Sequence, residues 1–244
     1  FNTMGSEEIK RMYTEKSHGM DFSLIEGTKG LFDGISTDGA DSNAELASLL
    51  KSNVLLVIDC EGITRGIAPL LEGYKSFGKK LKLDRVILNN VSTSRHESKL
   101  VSAISRYTDF RVLGVIPSIK NFIVERHLGL VPTFQHPQKK KVLSSLVSII
   151  RNNTDYKKLF PLRCKSQKKV IKPRVTKKKN PLVVGVASDA AFGFYYPDDI
   201  EEIERQGCRV KKIDLIRESR LPSIDGLFIG GGFPEIQAQK LQQN

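Results

Sequence analysis

From Phe22 onward, short apolar runs with the character of buried strands alternate with segments whose apolar residues recur at helical spacing, and few folds accommodate that order. The runs "FSLIE", "NVLLVID", "RVILNNV" and "FRVLGVIP" are separated by "NAELASLL", "GIAPLLEGYKSFG" and "HESKLVSAISRYT", in which apolar residues lie three and four apart. Adjacent parallel strands need a crossover connection, and a helix is the usual one. The pattern predicts an α/β fold with a doubly wound parallel sheet, closed by a last helix at "KKKVLSSLVSIIRNN".

The same grammar restarts near the C-terminus. "PLVVGVAS" reads as a strand and "PDDIEEIERQG" as a helix with Pro197 near its start and Gly207 at its end. "CRVKKID" and "GLFIGGG" read as two more strands. Between the two α/β units lies a basic stretch, which sets the expected boundaries: a first domain over 1–160, a linker over 161–181, and a second, shorter α/β unit over 182–244. That unit is small for a complete doubly wound domain, and the first strand-like run has no Gly-rich loop before it. The expectation is a segment of a longer protein, cut at both ends.

Composition excludes several classes. With 39% hydrophobic residues in 244, the chain can bury real cores. It has no run of 18 apolar residues and no signal-peptide pattern, so a soluble, cytoplasmic protein with no membrane partner is expected. Cys60, Cys164 and Cys208 are odd in number and far apart, which suggests neither a disulfide framework nor a CxxC metal site. The net charge of +12 invites a nucleic-acid reading, yet Lys165, Lys168, Lys169, Lys172, Arg174, Lys177, Lys178 and Lys179 hold eight of those charges with no acid among them. A solvated linker and a polyanion contact are the two readings. The stretch has Pro173 and no aromatic residue on which a base could stack.

Parallel strands deliver functional groups at their carboxyl ends. Those groups are Glu26, Asp59, Asn89, Asn90 and Pro117. In "EGTKGLFDG", Glu26 and Asp33 flank a loop punctuated by Gly27, Gly30 and Gly34, where the absence of Cβ atoms permits close approach. Two carboxylates on such a turn suit a metal and a substrate phosphate; the alternative is an ordinary Asp-Gly turn beside a solvated glutamate. At the other end of the chain, a strand running into Gly230, Gly231 and Gly232 presents bare backbone N–H groups.

The stretches "IEGTKGLFDG", "SNAELASLL", "VLLVID", "TRGIAPLLEGY", "VILNNV", "ERHLGLV", "DAAFGFYYPDDIEEIE" and "GLFIGGGFPE" together resemble the cobyrinic acid a,c-diamide synthase family. "AFGFYYP" and "GGGFPE" are its most specific motifs, shared only with near amidotransferase relatives. The resemblance implies a P-loop amidoligase domain similar to dethiobiotin synthetase, followed by the first part of a class I glutamine amidotransferase domain. It further implies amidation of the a and c carboxylates of cobyrinic acid in cobalamin biosynthesis. ATP would make an acyl phosphate that ammonia from glutamine then displaces. By the same resemblance Glu26 binds Mg²⁺, Asp33 serves the substrate carboxylate, Asp59 assists at the nucleotide and metal site, and Asn89 or Asn90 contacts adenine. Gly230, Gly231 and Gly232 belong to an oxyanion loop, and a homodimer is an allowed assembly.

Two family features are expected outside this sequence: a G-x-x-x-x-G-K-[ST] loop before Phe1, and the glutaminase cysteine with its histidine and acid after Asn244. Cys208, in "ERQGCRV", has no nucleophile-elbow pattern. The segment alone is therefore expected to be inactive in both half-reactions. His18, His96 and His136 show no ligand spacing and read as surface residues, whereas His127 falls in a family motif and suits either a substrate contact or a structural role. "FGFYYP" suits core packing or a domain interface. The rival substrate is sirohaem; the rival class is a noncatalytic P-loop-like module binding nucleic acid through the basic stretch.

Overall fold

The structure, a computed structural model, describes residues 4–119, 139–159 and 179–244. The expectations for His127, His136, Cys164 and the basic stretch as far as Lys178 lie outside the described residues. Those residues form two compact units, 4–119 with 139–159 and 179–244.

The first unit opens with helix α1 (Ser6–Ser17), acidic in its first turn at Glu7 and Glu8 and basic in its last at Lys16, as the helix dipole favours. Helix α2 (Asn43–Leu49) follows a long loop and is capped by Ser42, whose hydroxyl accepts the Glu45 N–H at 3.2 Å. Strands β1 (Leu56–Asp59), β2 (Arg85–Val91) and β3 (Arg111–Pro117) form a parallel sheet in the order β1-β2-β3. Leu56 pairs with Val86 and Arg85 with Arg111. Helices α3 (Ile67–Phe77) and α4 (Ser94–Tyr107) are the crossovers, and their buried faces meet the sheet at Ile67, Leu71, Leu100 and Ile104. The expected closing helix is α5 (Lys139–Asn153), followed by the short α6 (Tyr156–Leu159). The chain between them crosses β3: Asp155 N–H donates to the Leu113 carbonyl at 2.8 Å, and a Cβ at Gly114 would press into Thr154 and the Asn153 carbonyl.

Two expectations for the first unit need correction. "FSLIE" is not a strand: residues 22–26 run outside the sheet, with Leu24 79% exposed. An apolar run becomes a strand only where a neighbour takes up its backbone N–H and C=O groups. In β1, Leu56 and Ile58 are buried while Val57 is 61% exposed, so the described residues cover one sheet face there and not both.

In the second unit, β4 (Val183–Ala187) is central and β5 (Phe192–Phe194) leads into helix α7 (Pro197–Arg205). Pro197 opens the helix, and Gly207 beyond its end adopts a φ of +81°. Strands β6 (Arg209–Ile213) and β7 (Gly226–Phe228) flank β4, both parallel to it. "GLFIGGG" is two strands rather than one: β7 ends at Phe228, and the two-residue β8 (Gly231–Gly232) pairs antiparallel with β5. A short 3₁₀ turn at Pro234–Gln237 leads into the last helix, α8 (Ala238–Gln243).

Candidate active site

The glycine-punctuated loop is anchored by its apolar centre. Leu31 and Phe32 pack against the core, Phe32 stacking on Tyr74 at 5.7 Å, and the Ala44 N–H closes onto the Leu31 carbonyl at 2.8 Å. This leaves polar groups on either side to line a cleft of about 170 Å³ bordered by Thr28, Lys29, Asp33, Asp41 and Asn43. The Asn43 amide donates to the carbonyls of Lys29 and Gly30, at 3.1 and 3.3 Å. The glycines are explained individually: a Cβ at Gly30 would overlap the Asp33 carboxylate, and one at Gly34 would overlap that of Asp41. Asp41 accepts the N–H groups of Ile35 at 2.8 Å and Ser36 at 3.1 Å, which hold its carboxyl below the usual range. Asp33 thus faces the cleft, while Glu26 is exposed and outside its lining.

A second constellation forms where β1 and β2 end. Asp59 is paired with Asn89 across the strands. The Asn90 amide donates to Asp59 at 3.2 Å and reaches Glu61 at 3.4 Å, and Asp59 also accepts the Glu61 N–H at 3.0 Å. Asn90 takes a left-handed φ of +61°, which asparagine tolerates better than most residues. Asn89 is exposed, with its carbonyl accepting the Cys60 N–H at 2.9 Å. Cys60 is fully buried, and burial pushes its thiol up, as befits a small core residue rather than a nucleophile.

His96 corrects the surface reading. Its ring is half-buried between two loops, with Nε2 2.6 Å from the Ile63 carbonyl and Nδ1 3.3 Å from the Ser92 N–H. Donation from Nε2 and acceptance at Nδ1 tie the loop after β1 to the turn before α4. Its position at the Thr93 cap, where its own N–H meets the threonine hydroxyl at 3.1 Å, was the available signal. His18 is exposed, as expected.

In the second unit, the glycine turn closes onto "FGFYY". The Tyr195 hydroxyl donates to the Ala187 carbonyl and accepts the Gly230 N–H at 2.9 Å. The Phe233 N–H donates to the Ala191 carbonyl at 2.9 Å, Gly231 is exposed, and Phe194 meets Phe233 edge to face at 5.4 Å. Cys208 is half-buried where α7 gives way to β6.

The parallel α/β sheet carries acidic and amide groups at its strand ends, and residues 4–126 match the family model described as AAA domain. The chain belongs to that family. Its curated relatives named cobyrinate a,c-diamide synthase include one from Magnetococcus marinus, 38% identical over 99% of this chain and 54% of its own length. Others are from Caldanaerobacter subterraneus, 34% identical over 99% of this chain and 54% of its own, and Limosilactobacillus reuteri, 35% identical over 97% and 52%. The chain spans about half the length of the curated relatives it matches. No solved structure matches it.

Proposed function

We propose that this chain belongs to an ATP- and glutamine-dependent amidoligase that amidates the a and c carboxylates of cobyrinic acid in cobalamin biosynthesis. The observation that carries the reading is similarity along 99% of the chain to relatives bearing that name. Residues 1–160 form the amidoligase domain, 161–181 a linker and 182–244 the start of the glutaminase domain. A carboxylate is a poor electrophile until an oxygen leaves as phosphate. Attack of its oxygen on the γ-phosphorus of ATP expels ADP, and attack of ammonia on the acyl phosphate then expels phosphate and leaves an amide.

Asp33, in the cleft with Lys29 and Asn43, positions the substrate carboxylate. Asn89 reads adenine, because the Asn90 amide is already held by Asp59 and Glu61. No cluster of three ligating side chains occurs among the described residues. Mg²⁺ takes one or two protein carboxylates and fills its other positions from phosphate and water. Glu26 would hold it, with Asp59 assisting, and the ion would neutralise the triphosphate. Gly230, Gly231 and Gly232 form the oxyanion loop of the glutaminase step, with Gly230 held by its N–H to Tyr195 and Gly231 and Gly232 by pairing with β5. The relatives' name favours cobyrinic acid over sirohaem. No helix among the described residues is long and apolar enough to cross a membrane.

Substrate labelled with oxygen-18 in its carboxylates tests the acyl-phosphate route. The protein expressed from the complete reading frame containing this segment should release labelled inorganic phosphate, one per amide formed. Unlabelled phosphate accompanying amide formation contradicts the route.

A further inference from the structure

We infer that Tyr195 is the positioning residue of the glutaminase oxyanion loop, an inference that rests on the reading above. Its hydroxyl performs two roles at once, donating to the Ala187 carbonyl at the end of β4 and accepting the Gly230 N–H at 2.9 Å. The oxygen thereby links the carboxyl end of the central strand to the first residue of the glycine turn. The ring is braced as well: it meets Phe228 edge to face at 5.4 Å, and a Cβ on Gly230 would lie 2.5 Å from its Cε1. Gly230 is thus a glycine because Tyr195 occupies the space a side chain would need.

The consequence is a division of labour along the turn. Gly230 is the fixed end, clamped by the phenol, and Phe233 is the other fixed end, through the Ala191 carbonyl. Gly231 and Gly232 lie between the clamps, where they pair with β5 and Gly231 is exposed. An oxyanion donor stabilises a transition state only if it is held in place beforehand, so a loosened clamp lowers turnover more than glutamine binding.

Tyr195→Phe keeps the ring and deletes both hydrogen bonds. In the protein expressed from the complete reading frame, glutamine-dependent amidation should lose about tenfold or more in kcat while the KM for glutamine stays within about twofold, less than outright loss of a donor costs. Amidation from free ammonia, which bypasses the glutaminase step, should be unchanged. In the same variant the Gly230 amide should exchange with deuterium faster than in the wild type. Undiminished glutamine turnover in the variant overturns the inference, as does an equal loss with ammonia, which marks a merely structural residue. A wild type that uses ammonia but not glutamine contradicts the glutaminase reading itself, and the positioning role falls with it.

Discussion

Asp33 and Asp41 show how two carboxylates eight residues apart come to differ. Both border the cleft, but each oxygen of Asp41 accepts one backbone N–H, from Ile35 or Ser36, whereas the Asp33 carboxylate lies beside Gly30. Asp33→Asn should therefore lower amidation kcat about a hundredfold or more, with little change in melting temperature, as steady-state kinetics and calorimetry would show. Asp41 makes the opposite prediction. Its folded-state pKa is depressed, so the turn it holds is stable above the ordinary carboxylate range near 4 and loosens as pH falls through the lower folded value. Protection of the Ile35 and Ser36 amides should fall across that acidic window, and protection that persists through it contradicts the assignment. The glycines around these acids were legible as places of close approach, but their partners were not. That Gly30 makes room for Asp33 and Gly230 for Tyr195 depends on a fold-back over several residues or on a contact 35 residues distant.

Among the elements, periodicity identified most of those described. "RVILNNV" is β2 from end to end, and the crossover helices bury the residues their spacing selects. Leu100→Ala, at a fully buried position between α4 and the sheet, should cost about 2–5 kcal/mol by denaturant unfolding. "FSLIE" misled because an apolar run advertises burial, whereas strand formation also needs a paired edge. The break in "GLFIGGG" escaped notice because it is caused by β5, which pairs from elsewhere in the sequence. A Cβ at Gly232 would overlap the Ala191 carbonyl, which is backbone and cannot swing aside. Gly232→Ala should separate β5 from β8 at a cost of about 1–3 kcal/mol, seen as an earlier unfolding transition of the second unit. His96→Ala should free the loop after β1, costing about 1 kcal/mol chiefly through loss of the part-buried bond to the Ile63 carbonyl.

For the whole molecule, the described residues form two α/β units, and the proposal assigns amidation to the first and ammonia supply to the second. The relatives' shared name and the AAA-domain match agree with the class that the quoted motifs imply. The proposed substrate is the least legible part, because a ring of that size would be contacted by several loops rather than by one motif. The most direct measurement is a mass spectrum of cobyrinic acid after incubation with ATP, Mg²⁺, glutamine and the protein expressed from the complete reading frame. The account predicts two successive replacements of a carboxyl hydroxyl by an amino group, both dependent on ATP. Cobyrinic acid left unchanged while sirohaem is amidated, or neither changed, contradicts it.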